Sequence, residues 1–110
     1  MVRTTTERRR HERTPIELDA TIERIGGRPL SASASTLDLS EGGACFVGPD
    51  GFGVGDVVRV RISRGELAVE RQALVVGKTA QAAKRAALNL AFKMLDGHDP
   101  AVIERILAAG

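Results

Sequence analysis

From Ile16 the chain alternates with a period of two. Ile16, Leu18, Ala20 and Ile22 are apolar, while Glu17, Asp19, Thr21 and Glu23 between them are polar. Successive side chains of an extended strand point to opposite faces, so this pattern predicts a strand with one face buried. Gly26-Gly27 then offers a turn. A second strand is expected over Ser33 to Leu39 and a third over Ala44 to Val47, joined by the tight turn Asp38-Leu39-Ser40-Glu41-Gly42-Gly43. Val58, Val60 and Ile62, alternating with Arg59, Arg61 and Ser63, give a fourth. Arg64-Gly65 turns into a long fifth strand over Leu67 to Val76, whose imperfect alternation predicts a bulge near Glu70 to Gln72. Thr79 to Ala87 favours helix by its alanines. We read it instead as the connection of a hairpin leading into a sixth strand, in which Leu88, Leu90 and Phe92 alternate with Asn89, Ala91 and Lys93. Asp99 and Pro100 suit the cap and first position of a helix. Its stripe Val102, Ile103, Ile106 and Leu107 should cover a barrel mouth or a partner.

Six short strands, with twelve glycines to supply the turns, predict an all-β protein: a closed or nearly closed antiparallel barrel with a C-terminal helix. The expected organisation is one domain over residues 1–110, with a flexible basic arm at 1–14, the barrel at 15–95 and the helix at 99–109.

Charge changes this picture at one place. Arg3, Arg8, Arg9, Arg10 and Arg13 face only Glu7 and Glu12 in the first thirteen residues, while the rest of the chain balances to within one charge. Guanidinium groups are permanently charged planar forks that match phosphate oxygens and guanine edges. A cluster of them in one arm points to an anionic ligand, although basic tails are also common as solvated, nonspecific segments.

Other chemistry is sparse. Three phenylalanines, with no Trp and no Tyr, offer almost none of the stacking surface that single-stranded nucleic-acid binders use. The two histidines, His11 and His98, form no Ser-His-Asp or Cys-His arrangement, so an enzyme is not expected. Asp96-Gly97-His98-Asp99 could chelate a divalent ion but reads more simply as a helix-capping turn, and no metal or cofactor is expected. Cys45 is the only cysteine and sits in the apolar run Ala44-Cys45-Phe46-Val47, as a small buried hydrophobe. No apolar stretch is long enough to insert into a membrane, and the charged N-terminus lacks the stretch of an export signal. The cytoplasm is therefore the expected compartment.

Two elements carry a family resemblance. Arg9-Arg10-His11-Glu12-Arg13, just before the first strand, matches an RRxxR pattern. Asp38-Leu39-Ser40-Glu41-Gly42-Gly43 matches [D/N]xSxxG at a strand turn. Their order and placement on a six-stranded pattern resemble the PilZ domain, the bacterial receptor module for cyclic di-GMP. Asp56 to Ile62 looks like the family's mid-domain strand and Leu88 to Phe92 like its strand ending in Phe.

The resemblance implies a PilZ-like barrel and a non-catalytic receptor that relays the messenger to an effector protein. It implies that Arg9, Arg10 and Arg13 wrap the ligand from one side, with Arg8 as a further contact or solvated. Asp38, Ser40 and Gly43 would form the opposite wall. Asp38 would accept from guanine N1–H and N2–H or hold one of the arginines. Ser40 and the turn amides would donate to phosphate, and Gly43 would allow a positive φ or a close approach. Without ligand, the same turn could be an ordinary Asx-type turn bonding its own amides. Two other classes compete: a PilZ-like adaptor that binds only protein, and a small-barrel nucleic-acid binder whose affinity falls steeply with salt.

Overall fold

The computed structural model describes residues 13–93 and 101–108. The strands are β1 (Thr14–Pro15), β2 (Asp19–Arg24), β3 (Ser31–Leu39), β4 (Gly43–Pro49), β5 (Val57–Arg64), β6 (Leu67–Gln81) and β7 (Arg85–Lys93). They are followed by the helix α1 (Ala101–Ala108). All pairings are antiparallel, in the order β1-β3-β2-β5-β6-β7-β4, and a further β3–β4 pairing closes the circle. The expected six-stranded barrel is therefore β2 to β7, with β1 laid as a two-residue addition on β3. Closure matters physically because it removes the unpaired edges that an open sheet would leave.

Alternation decides which side chains fill the barrel. Leu18, Ala20 and Ile22 of the first pattern are buried, as are Val58, Val60 and Ile62 of β5 and Leu88, Leu90 and Phe92 of β7. Ile103 and Ile106 of α1 are fully buried in the same core, with Val102 and Leu107 packed at its margin. The helix stripe thus covers the barrel itself. Arg64, the last residue of β5, donates to the carbonyls of Ile106 at 2.8 Å and Leu107 at 3.5 Å. A cation at the C-terminal end of a helix satisfies carbonyls that have no partner within it. The capping role read for Asp99 and Pro100 lies outside the described residues.

Three expectations are corrected. The bulge in β6 is not at Glu70 to Gln72, where pairing with β5 runs unbroken from Val57↔Leu74 to Arg64↔Leu67. It lies against β7, between Val75 and Gly77. The apparent break in alternation comes from Arg71, which occupies an inward position between the buried Val69 and Ala73.

The alanine-rich connection is also far shorter than Thr79 to Ala87. β6 and β7 remain paired out to Gln81↔Arg85, leaving only Ala82–Lys84 between the strands. Ala83 and Lys84 have φ of 63° and 58°, and the Arg85 amide donates to the Ala82 carbonyl. That is a type I′ hairpin turn built without the usual Asn-Gly, which is why the sequence does not advertise it.

The first strand, finally, is interrupted. Between Pro15↔Asp38 and Asp19↔Ser35 there are three residues on one side and two on the other. Thr36, fully buried, fills the gap. Its hydroxyl donates to the Ile16 carbonyl at 2.6 Å and accepts from the Leu18 amide at 2.9 Å. A side chain thereby replaces a missing rung of the ladder.

Candidate functional site

β3 ends and β4 begins at the barrel end that α1 covers, and the turn between them carries the Asp-x-Ser-x-x-Gly residues. β1 brings the end of the basic segment to the same place, because Thr14 pairs with Leu39 and Pro15 with Asp38. The consequence is direct contact between two motifs distant in sequence. Arg13 Nη1 lies 2.9 Å from Asp38 Oδ1, with both side chains a little over a quarter exposed. The same oxygen accepts from the Cys45 amide at 3.1 Å. Of the two roles implied for Asp38, holding an arginine is the one the geometry displays. Arg8, Arg9 and Arg10 lie outside the described residues.

Ser40 is buried and serves its own turn. Its hydroxyl oxygen accepts from the amides of Gly42 and Gly43, each at 3.2 Å, and its hydroxyl faces the Gly43 carbonyl at 3.3 Å. The Ser40 amide donates to the Gly43 carbonyl at 2.9 Å, and the Gly42 carbonyl accepts from Phe92 on β7 at 2.9 Å. The turn is thus self-bonded in the manner of an Asx or Ser turn and moored to β7.

Gly43 is not among the residues with positive φ. Its requirement is close approach, but to protein: a side-chain carbon there would overlap the Leu90 carbonyl oxygen. Only a residue without Cβ lets β4 sit this near β7.

Cys45 was legible only in part. It is buried, at 9% exposure, yet it lies on the outer side of the barrel, because Ala44 and Phe46 on either side fill the core. A continuous apolar run conceals which of its members faces out; the pairing Asp38↔Cys45 reveals it. Burial pushes the Cys45 thiol pKa up, the Asp38 carboxylate adds to the rise, and Arg13 opposes it. The thiol is therefore protonated at neutral pH and a poor nucleophile.

The far end of the barrel is held by a separate polar cluster. Arg24 donates to Asp56 at 3.1 Å and to the carbonyls of Arg28 at 3.0 Å and Gly51 at 2.6 Å, and lies over the Phe52 ring at 5.5 Å. These contacts tie β2 to two loops and are structural in character. Among the described residues, no group of three or more His, Cys, Asp or Glu is placed to hold a metal ion. No helix among them is long and apolar enough to cross a membrane.

Comparison with known proteins agrees with this fold. Comparison with curated proteins finds no match. Among solved structures the chain resembles the inhibitor of motility MotI/DgrA of Bacillus subtilis, with a TM-score of 0.71 at 21% identity over 90% of this chain and 49% of that one. It resembles YcgR of Escherichia coli, solved in complex with c-di-GMP, with a TM-score of 0.68 at 16% identity over 91% of this chain and 44% of that one. It also resembles the PilZ domain of CeSA from a cellulose-synthesizing bacterium, with a TM-score of 0.63 at 16% identity over 87% of this chain and 95% of that one. The chain spans about half the length of MotI/DgrA and of YcgR. At these identities the likeness establishes the fold. The profile of the PilZ domain matches residues 7–109, nearly the whole sequence, and the chain belongs to the PilZ domain family.

Proposed function

We propose that this chain is a non-catalytic, cytoplasmic receptor for cyclic di-GMP that passes the signal to an effector protein. The observation that carries the reading is the meeting of Arg13 with Asp38, 25 residues apart in sequence, at one end of the barrel. It joins the basic segment to the Asp-x-Ser-x-x-Gly turn and so makes one site of two motifs. Family membership and the likeness to YcgR, solved in complex with c-di-GMP, support the choice of ligand.

The division of labour follows from donor chemistry. Cyclic di-GMP carries two phosphates and two guanines, and arginine serves both by charge and by its planar fork. Arg8, Arg9 and Arg10 supply the cations, and Arg13, aligned by Asp38, supplies the anchored one. Ser40 and Gly43 act by shaping the turn and setting β4 against β7, which fixes the position of Asp38. Each charge-assisted hydrogen bond contributes about 1.5–3 kcal/mol. Several are needed, because association itself costs translational and rotational freedom.

Calorimetric titration tests the reading. Saturable binding of cyclic di-GMP, with GMP at least a hundredfold weaker, is expected, since a mononucleotide cannot span the site. Binding of long oligonucleotides that disappears with added salt, and no heat with cyclic di-GMP, would show a nucleic-acid binder instead.

A further inference from the structure

β7 places a polar side chain where its strand does not need one. Asn89 is exposed at the middle of β7, flanked by the core residues Leu88 and Leu90. It pairs with Cys45 of β4 on one side and Gly77 of β6 on the other, and Cys45 in turn pairs with Asp38. Residues directly opposite one another project from the same face. Asp38, Cys45, Asn89 and Gly77 therefore form one row across the outer surface of the barrel. At about 4.8 Å per strand, Asn89 stands roughly 10 Å from Asp38, within the span of a single cyclic dinucleotide.

The row is shaped so that the amide is presented. Gly77 provides the room: a Cβ there would come within 3.0 Å of Asn89 Nδ2. Between Asn89 and Asp38 stands only the low side chain of Cys45. No hydrogen bond joins the Asn89 amide to a described residue, so the fold makes no use of its polarity. Asparagine is also depleted in strands, and no hydrogen bond within the described residues accounts for its presence here.

Donor chemistry narrows what it meets. Asp38 can only accept and Arg13 can only donate, whereas a carboxamide presents a donor and an acceptor side by side. A phosphate would use the donor alone. A guanine presents N1–H beside O6, which matches both; an adenine presents N6–H and N1 in the reverse order, so the orientation of the bound amide separates the two bases. We propose that Asn89 is a base-reading residue of the dinucleotide site, pairing with a guanine edge one strand beyond Cys45. The proposal rests on the receptor reading above and adds to it the residue that sets base specificity.

The test compares the parent protein with Asn89→Ala and Asn89→Val, the second chosen because valine favours an exposed strand position. Each is titrated with cyclic di-GMP and with cyclic di-AMP, and Arg13→Ala serves as a contrast. Both Asn89 variants should lose at least tenfold in affinity for cyclic di-GMP. Their preference for guanine over adenine should shrink by a similar factor, with the ligand-free melting temperature held. Arg13→Ala should weaken both ligands while leaving the preference largely intact. If the parent binds and the Asn89 variants match it within twofold, or lose both ligands equally, the base-reading role is overturned and the receptor reading stands. If the parent itself gives no binding, both fall.

Discussion

Arg13 Nη1 and the Cys45 amide share one acceptor, Asp38 Oδ1, at 2.9 and 3.1 Å. A single carboxylate oxygen thus fixes both the end of the basic segment and the start of β4. The two bonds differ in what their loss would cost, and this separates binding from stability.

Arg13→Ala should weaken cyclic di-GMP binding at least tenfold while barely moving the ligand-free melting temperature. The ion pair is over a quarter exposed on both sides, and pairs of that kind contribute only about 0.2–1 kcal/mol. Asp38→Ala should weaken binding too, but should also destabilise the free protein by about 1–3 kcal/mol, because the Cys45 amide loses its partner. Calorimetry together with urea unfolding of the two variants checks the contrast. Equal destabilisation would show that the Cys45 bond contributes nothing.

Gly43→Ala should fail for a structural reason. The added carbon would overlap the backbone carbonyl of Leu90, which cannot rotate away as a side chain could. We expect a loss of about 2 kcal/mol or more in the absence of ligand, in the range of overpacking mutations. A melting scan without ligand is decisive: an unchanged transition would return Gly43 to a role confined to the ligand.

The β6–β7 turn should respond in the opposite direction. Ala83 and Lys84 both occupy left-handed backbone conformations, at φ 63° and 58°, which disfavour residues with a Cβ by about 1–2 kcal/mol each. Replacing them by Asn-Gly, the pair best suited to a type I′ turn, should raise stability by about 1 kcal/mol or more. The turn is held from outside by the Asp50 amide, which donates to the Lys84 carbonyl at 2.8 Å, and by the Lys78–Asp50 ion pair at 2.6 Å. Chemical denaturation of the double variant measures the gain.

Acid should loosen the far end of the barrel. The Gly53 amide and then Arg24 hold the Asp56 carboxyl below the usual carboxylate range, and Lys78 does the same for Asp50. A depressed folded-state pKa contributes stability that is present above the unfolded value, about 3.9. That stability is lost as pH falls through the lower, folded value. Asp56→Asn should therefore reduce stability at pH 7 and flatten its decline on acidification below about pH 4. Urea unfolding at a series of pH values checks this, and a parallel displacement of the two curves would rule it out.

Alternation marked the first, fourth and sixth strands, turn residues and short apolar runs bounded the others, and helical spacing marked the apolar stripe of the helix, which together were enough to predict the barrel. Inward and outward faces depend on a period of two, which any reader of Ile16–Glu23 or Val58–Ser63 can see. The two motifs were equally legible as strings. What they do was not. Whether Asp38 faces a ligand or an arginine depends on β1 pairing with the end of β3, and Ser40 and Gly43 acquire their meanings from the turn amides and the Leu90 carbonyl. Arg71 looked like a break in register because a sequence shows polarity, while only the pairing shows direction. The type I′ turn at Ala83-Lys84 was invisible because alanine and lysine carry no turn signal, and strand pairing on both sides imposes the conformation. Local chemistry, in short, specifies the elements of this chain. Closure of the barrel, which sets residues of distant strands opposite one another, decides which side chains meet.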